Sequence, residues 1–416
     1  MFEIGTGLSR NWSAFEAGEE LTVNALRDLK HTPKFFILFS TIHPEKHGGF
    51  RQLLRGVYSH LPKNVPLVGG TVAGFVTKTG CYTRGAVGVA FYYDDMDIAT
   101  SVGQNTKKNP KKAGEDCAKK IKSQLLNERH KNKILFNMIS GPILPVPMRI
   151  LPLGKLSSIA IPLTEAVTLI FQKCFGRESE VLGAIRKVLP DYFVIGGSTI
   201  DDAQYTRHFQ FYNNQVLNNS IVALGISTNL KTSLKSVTAF RKTSDNFRIN
   251  KKAAWNYVIE DINGKPAKSE FVRLVKWNQQ NIDENVHKRT PYFPVGAIHP
   301  DGTLHVYPIA LFLGDYLALG HDLVSNEIFL TSTSGKELLE STKTAISEVP
   351  PNSFSLIVSC AARLETIGSG VYKEKEILDK MPGDYIMIFT LGENRGEPNK
   401  NVHCLQETLN ILTLSA

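Results

Sequence analysis

The chain has 416 residues, 42% of them apolar and 21% charged. At about 100–200 residues per domain this is room for two or three domains, and the composition excludes disorder, collagen and a coiled-coil rod. The formal charge of +9 is mild for this length. The lysines at Lys107, Lys108, Lys111 and Lys112 carry no interleaved aromatics for base stacking, so they read as a solvated loop entering a basic helix and not as a nucleic-acid surface.

Chain order begins with a capping box, Ser13-Ala14-Phe15-Glu16, followed by Ala17, Leu21, Ala25 and Leu29 at helical spacing. Phe35 to Thr41 has the length and composition of a buried strand. A helix near Gly49 to His60 follows, then a strand from Val65 to Gly70 ending in Gly69-Gly70-Thr71. Strands at 86–93 and 96–102 and a helix over 111–128 complete the unit. The same order returns. Ile134 to Ile139 is a strand, 180–188 a helix, and Tyr192 to Ile195 a strand ending in Gly196-Gly197-Ser198-Thr199. Residues 208–212 and 220–226 read as a hairpin turning at Asn213-Asn214, and 230–237 as a further strand. A third echo runs through strand 353–359, helix 374–380, strand 385–391 with Gly392-Glu393, and strand 405–414. It is the weakest of the three, because simple α/β order recurs by chance.

The segment between, 251–347, reads as a different kind of unit. It has a turn at Gly264-Lys265-Pro266, a helix over 268–280, strands at 292–295, 304–312 and 328–331, and a second capping box at Ser334-Gly335-Lys336-Glu337. A composition shift over 241–252 marks a boundary. The expected class is α/β in the broad α+β sense: mixed, largely antiparallel sheets flanked by helices, in two parts (1–245 and 246–416), with an internally duplicated first part.

Five cysteines, widely spaced and without a C-x-x-C pair, argue against a disulfide framework or structural zinc and fit a reducing compartment. Residues 1–30 lack the apolar segment of a signal peptide. The apolar stretch 142–175 is interrupted by prolines and charges, so it reads as an insertion covering a site or an interface and not as a membrane span. A soluble cytoplasmic protein is the expectation.

The candidate site lies at strand ends. Glycine pairs Gly69-Gly70 and Gly196-Gly197 form either tight turns or a backbone cradle, with hydroxyls from Thr71 and Ser198. Neither is a phosphate loop. Asp201 and Asp202 read as turn formers. Cys360 beside Arg363 is either a nucleophile or a buried inert thiol. Arg363 suits a carboxylate, and Glu393 either pairs with it or takes an ammonium group. His43 and His47 read as loop residues and not metal ligands. No cofactor and no metal are expected.

Several of these motifs occur together in one family. Val68-Gly69-Gly70-Thr71-Val72-Ala73-Gly74, Gly196-Gly197-Ser198 with Asp201-Asp202, and His208 to Asn213 resemble the FIST domain (F-box and intracellular signal transduction). So do Gly264-Lys265-Pro266-Ala267, Ser359-Cys360-Ala361-Ala362-Arg363, Gly392-Glu393 and Glu407-Thr408. The resemblance spans about residues 20–415 and covers both halves of the family's module. It implies a non-catalytic sensor of a small polar metabolite such as an amino acid. Output would pass through a signalling partner or a homo-oligomer, since the chain looks like a stand-alone module. The sequence departs from the family pattern at Phe75, Tyr307 and Leu405-Gln406. Two alternatives stay open: a cysteine-dependent enzyme acting through Cys360, and a protein-interaction scaffold using 142–175.

Overall fold

A computed structural model describes residues 2–125, 129–143, 163, 166, 174–277 and 292–416. Nearly all of the stretch 142–175 therefore lies outside the described residues.

The first unit contains β1 (Phe2–Ser9), α1 (Ala14–Leu26), β2 (Phe35–Ser40), α2 (Phe50–Tyr58), β3 (Leu67–Thr71), β4 (Gly74–Thr77), β5 (Gly80–Tyr82) and β6 (Ala86–Tyr93). The second contains β7 (Met96–Gln104), α3 (Pro110–Gln124), β8 (Asn132–Ser140), α4 (Glu178–Val188), β9 (Phe193–Thr199), β10 (Gln210–Tyr212), β11 (Gln215–Leu217) and β12 (Ser220–Thr228). The third opens with β13 (Lys231–Thr238) and is then interrupted by an inserted region. That region holds β14 (Arg241–Ala253), β15 (Val258–Ile262), β16 (Lys265–Pro266), α5 (Ala267–Leu274), β17 (Val295–Ile298), β18 (Leu304–Tyr307), β19 (Ile309–Leu313), β20 (Tyr316–Leu319) and β21 (Glu327–Ser332). The third unit resumes with α6 (Gly335–Ile346), β22 (Ser353–Cys360), α7 (Ala361–Ile367), α8 (Val371–Leu378), β23 (Asp384–Thr390), β24 (Glu393–Gly396), β25 (Val402–Leu405) and β26 (Thr408–Ser415).

The three units share one topology. Their sheets run β1-β6-β2-β3, β7-β12-β8-β9 and β13-β26-β22-β23, with one parallel pair in each. Each sheet is then extended by a hairpin from another unit: β10-β11 joins β3, β24-β25 joins β9, and β4-β5 joins β23. The exchange closes a ring, so the three units form one body with approximate threefold symmetry. The third echo is thus as complete as the other two. The hairpin at Asn213-Asn214 closes between β10 and β11; residues 220–228 instead form β12, which pairs with β7 and β8.

The strand sequences account for this layering. Phe35, Ile37 and Phe39 of β2 enter a core shared with Ile134, Phe136 and Met138 of β8 and with Phe354, Leu356 and Val358 of β22. The alternate residues face outward under helices. Phe36 and Leu38 pack against Leu21 and Leu53, Leu135 and Ile139 against Ile121 and Ile185, and Ile357 against Leu378. A strand buried on both faces needs a continuous apolar run, which is what these strands carry. Both serines cap their helices: Ser13 Oγ accepts from Glu16 N at 3.4 Å, and Ser334 Oγ accepts from Glu337 N at 3.3 Å. The inserted region is an eight-stranded sheet with its own core, including Phe271, Tyr307, Phe312 and Ile328. The fold class is the expected mixture of helices with largely antiparallel sheets.

Candidate functional site

The parallel strand pairs end at equivalent places. Ser40 pairs with Thr71, Ser140 with Thr199 and Cys360 with Thr390. Backbone hydrogen bonds join these ends across units: Ile200 N donates to Thr71 O (3.2 Å), Leu391 N to Ser198 O (3.2 Å) and Ala73 N to Phe389 O (2.9 Å). The expected strand-end residues therefore gather around the threefold seam, with one exception described below.

The glycines serve close approach. A Cβ on Gly69 would lie 1.8 Å from Leu38 O, and one on Gly196 1.9 Å from Asn137 O. A Cβ on Gly70 would meet Thr199 and one on Gly197 would meet Thr390. Both pairs lie inside strands, Gly69-Gly70 in β3 and Gly196-Gly197 in β9, and they let neighbouring backbone and side chains approach closely there. Thr71 holds the neighbouring unit, its Oγ1 accepting from Phe209 N at 3.0 Å. Asp201 organises the loop that follows β9, accepting from the backbone N–H groups of Gln204, Tyr205, Thr206 and Arg207.

Ser198 belongs to a buried polar group that the sequence did not reveal. Its Oγ donates to Glu178 Oε1 at 2.8 Å. Nearby, the Lys107 ammonium is fully buried and donates to the carbonyls of Gly141 and Cys174. The expectation of a solvated lysine loop is corrected here: Lys107 turns inward because two backbone carbonyls and the Glu178 charge receive it, and burial pulls it down to about 8. His208 donates to or accepts from Thr199 Oγ1 at 2.9 Å, and burial pushes it down to about 3.

The third unit differs most from its sisters. Opposite the residue two before the strand-end threonine (Ile388, Gly69 and Gly197), β4 and β10 place Phe75 and Phe211, whereas β24 places Glu393. Before the last strand stand Gly85, Asn219 and Glu407, all at positive φ (130°, 47° and 56°). A glutamate there is uncommon, and such strained positions cluster at functional sites. Glu393 Oε2 accepts from Thr408 N (3.3 Å) and Oγ1 (3.0 Å). Glu393 Oε1, both Glu407 carboxylate oxygens and Gln406 Oε1 are buried and receive no hydrogen bond among the described residues. Burial pushes both carboxyls up, Glu407 to about 8. The nearby Glu407 adds to the cost of ionising Glu393, since like charges in a desolvated place disfavour the charged form, whereas Arg363 partly offsets burial at Glu407.

Cys360 lies beside them, 1% exposed, with its thiol directed at Leu391 O at 3.9 Å. Burial, then Glu393 and Glu407, push this thiol well above its ordinary range. It is protonated at neutral pH. Three histidines lie together on and beside the inserted sheet: His305 Nε2 is 3.1 Å from His403 Nδ1, and the His321 ring is 4.7 Å from that of Tyr307.

Arg363 is the exception. It does not pair with Glu393. Its Nη2 donates to Leu338 O (2.7 Å), Thr342 Oγ1 (2.7 Å) and Glu374 Oε1 (2.8 Å), and both members of the Arg363–Glu374 pair are fully buried. It clamps α6, α7 and α8 together. Glu407 still feels its charge.

The FIST N domain family model matches residues 2–265, more than half of the chain. The protein belongs to the FIST family. The FIST domain is a small-ligand sensory domain of signalling. No curated protein matches the chain. Among solved structures, cyanuric acid hydrolase from A. caulinodans is similar at 11% identity and a TM-score of 0.29, over 55% of this chain and 71% of that one. A likeness at that level carries no argument about activity. Among the described residues, no helix of this FIST protein is long and apolar enough to cross a membrane.

Proposed function

We propose that this FIST protein senses a small polar metabolite bearing an ammonium group, an amino acid or a close relative, at the cluster formed by Glu393, Gln406 and Glu407. The carrying observation is four buried carboxyl and amide oxygens without a hydrogen-bond partner among the described residues: Glu393 Oε1, Gln406 Oε1 and the two of Glu407. Buried polar atoms are nearly always paired, and each exception calls for a partner. An ammonium group supplies several donors and a positive charge, and its arrival would turn two protonated carboxyls into stabilised carboxylates. The cluster joins the swapped hairpin β24-β25 to the last strand β26, so occupancy would stiffen the seam between two units. Output would then pass, in the cytoplasm, to a signalling partner or through self-association.

A thermal-shift screen of amino acids, amines and small carboxylates tests this. A ligand present at about 100 times its dissociation constant adds about 2.7 kcal/mol to folding. The expected result is a shift with an ammonium-bearing compound that is lost in Glu393→Gln and Glu407→Gln. No shift with any compound, or a shift that both variants keep in full, overturns the reading. A protonated thiol in Cys360 favours sensing over cysteine catalysis.

A further inference from the structure

We propose that His299, Asp301 and His403 bind a divalent transition-metal ion of the zinc type, at the seam between the inserted sheet and the hairpin β24-β25. The proposal rests on a place apart from the Glu393–Glu407 cluster and does not depend on the ligand reading. Asp301 stands between the two imidazoles, its Oδ1 2.9 Å from His299 Nδ1 and its Oδ2 2.9 Å from His403 Nε2. The three donor atoms lie within 4.8 Å of one another. Zinc sits about 2.0–2.2 Å from such nitrogen and oxygen donors. Small side-chain rotations would open this triangle around one ion. Two imidazoles and a carboxylate suit zinc and its neighbours, whereas magnesium and calcium prefer oxygen donors. The remaining positions would be filled by water.

The surroundings have the features of a supported metal site. His299 and Asp301 sit on the tight turn between β17 and β18, closed by Gly302 N donating to His299 O at 2.8 Å and His299 N to Thr303 O at 2.9 Å. Asn401 Nδ2 donates to Asp301 Oδ2 at 2.8 Å, and Thr303 N to Asp301 Oδ1 at 3.1 Å. His305 Nε2 faces the far nitrogen of His403 at 3.1 Å and would fix which nitrogen of that ring meets the ion. Partners of this kind orient metal-binding side chains. His305 Nδ1 is buried with no partner among the described residues, so the chain of imidazoles ends unsatisfied. Access is open, since His299 and Asp301 are 25% and 30% exposed while His403 is 8% exposed. His403 pairs across the hairpin with Arg395, two residues beyond Glu393. An ion here would tie the inserted sheet to the hairpin that carries Glu393.

The test is equilibrium dialysis of the chelator-treated full chain against zinc chloride, with metal content per chain as readout and Co²⁺ as a spectroscopic probe. The expected result is one zinc per chain, a visible Co²⁺ absorption, and no competition from excess Mg²⁺. Asp301→Asn and His403→Gln should each weaken binding at least 100-fold. His305→Phe, which removes a positioning residue, should weaken it about 10- to 100-fold. His299→Ala, on a partly exposed turn, serves as the variant least able to disturb folding, and melting in chelator checks every variant. Less than one zinc per chain, or one zinc held equally by wild type and His299→Ala, overturns the proposal.

Discussion

Arg363→Ala should unfold the third unit more readily than it should affect any ligand. The Arg363 and Glu374 side chains are both fully buried, and Thr342 Oγ1 bridges them, donating to Glu374 Oε1 at 2.6 Å. Truncating Arg363 leaves the Glu374 carboxylate desolvated with a single hydroxyl donor. Breaking a buried ion pair from one side costs about 3–5 kcal/mol. That is a large part of a typical folding stability of about 5–15 kcal/mol. Replacing both partners with apolar side chains of similar volume is often neutral or stabilising. Arg363→Met with Glu374→Leu should therefore cost less than Arg363→Ala alone, despite the acceptors left at Leu338 and Thr342. Urea unfolding of Arg363→Met, Glu374→Leu and the double variant measures the coupling directly, as the departure from additivity. An Arg363→Ala midpoint equal to wild type, or single-variant costs that simply add, would refute the clamp and return Arg363 to the ligand site.

The buried carboxyls set a pH dependence. In the folded chain Glu407 keeps its proton up to about 8, whereas an unfolded glutamate loses it near 4.5, so folding takes up a proton between those values. The stabilising contribution is complete below the unfolded value and disappears as pH rises through about 8. Melting temperature should fall between pH 6.5 and 8 in wild type and fall less in Glu407→Gln; equal slopes would count against the burial. His208 titrates below this window and does not blur it. For the glycines, Gly196→Ala should destabilise by about 1–3 kcal/mol, because its Cβ must displace the Asn137 carbonyl. Gly183→Ala, in α4 with nothing within 4 Å, should stabilise by about 0.5–1 kcal/mol. A pair of melting curves decides both, and a tolerated Gly196→Ala would refute the close approach.

What the sequence discloses here is local. Capping boxes at Ser13 and Ser334 and apolar runs such as Phe35 to Phe39 specify their own elements, because the determining contacts lie within a few residues. The hairpin exchange is invisible at that range. Nothing in Gly74 to Thr77 says that it pairs with Phe389 to Met387, more than 300 residues away. The same limit hides side-chain partners. Lys107 stands in a lysine-rich stretch and reads as solvated, yet its acceptors at Gly141 and Cys174 come from distant segments. Arg363 and Glu393 read as neighbours on strand ends, but Glu374, one helix further on, takes the arginine.

The repeated architecture nevertheless offers an internal comparison. What the fold itself demands should appear in all three units, as the threonines Thr71, Thr199 and Thr390 do at the ends of the central strands. What appears once needs another reason. Phe75 and Phe211 fill their places with apolar packing, so an acid at the equivalent Glu393 is not a requirement of the hairpin exchange. Gly85 and Asn219 tolerate a left-handed backbone at low cost, so Glu407 at φ 56° is not the residue that the turn prefers. Both departures fall in the same unit, Glu393 on β24 and Glu407 just before β26, and both leave carboxyl oxygens buried without hydrogen-bond partners among the described residues. Two breaks from the threefold pattern converging on one small volume are the physical ground for proposing a ligand site there.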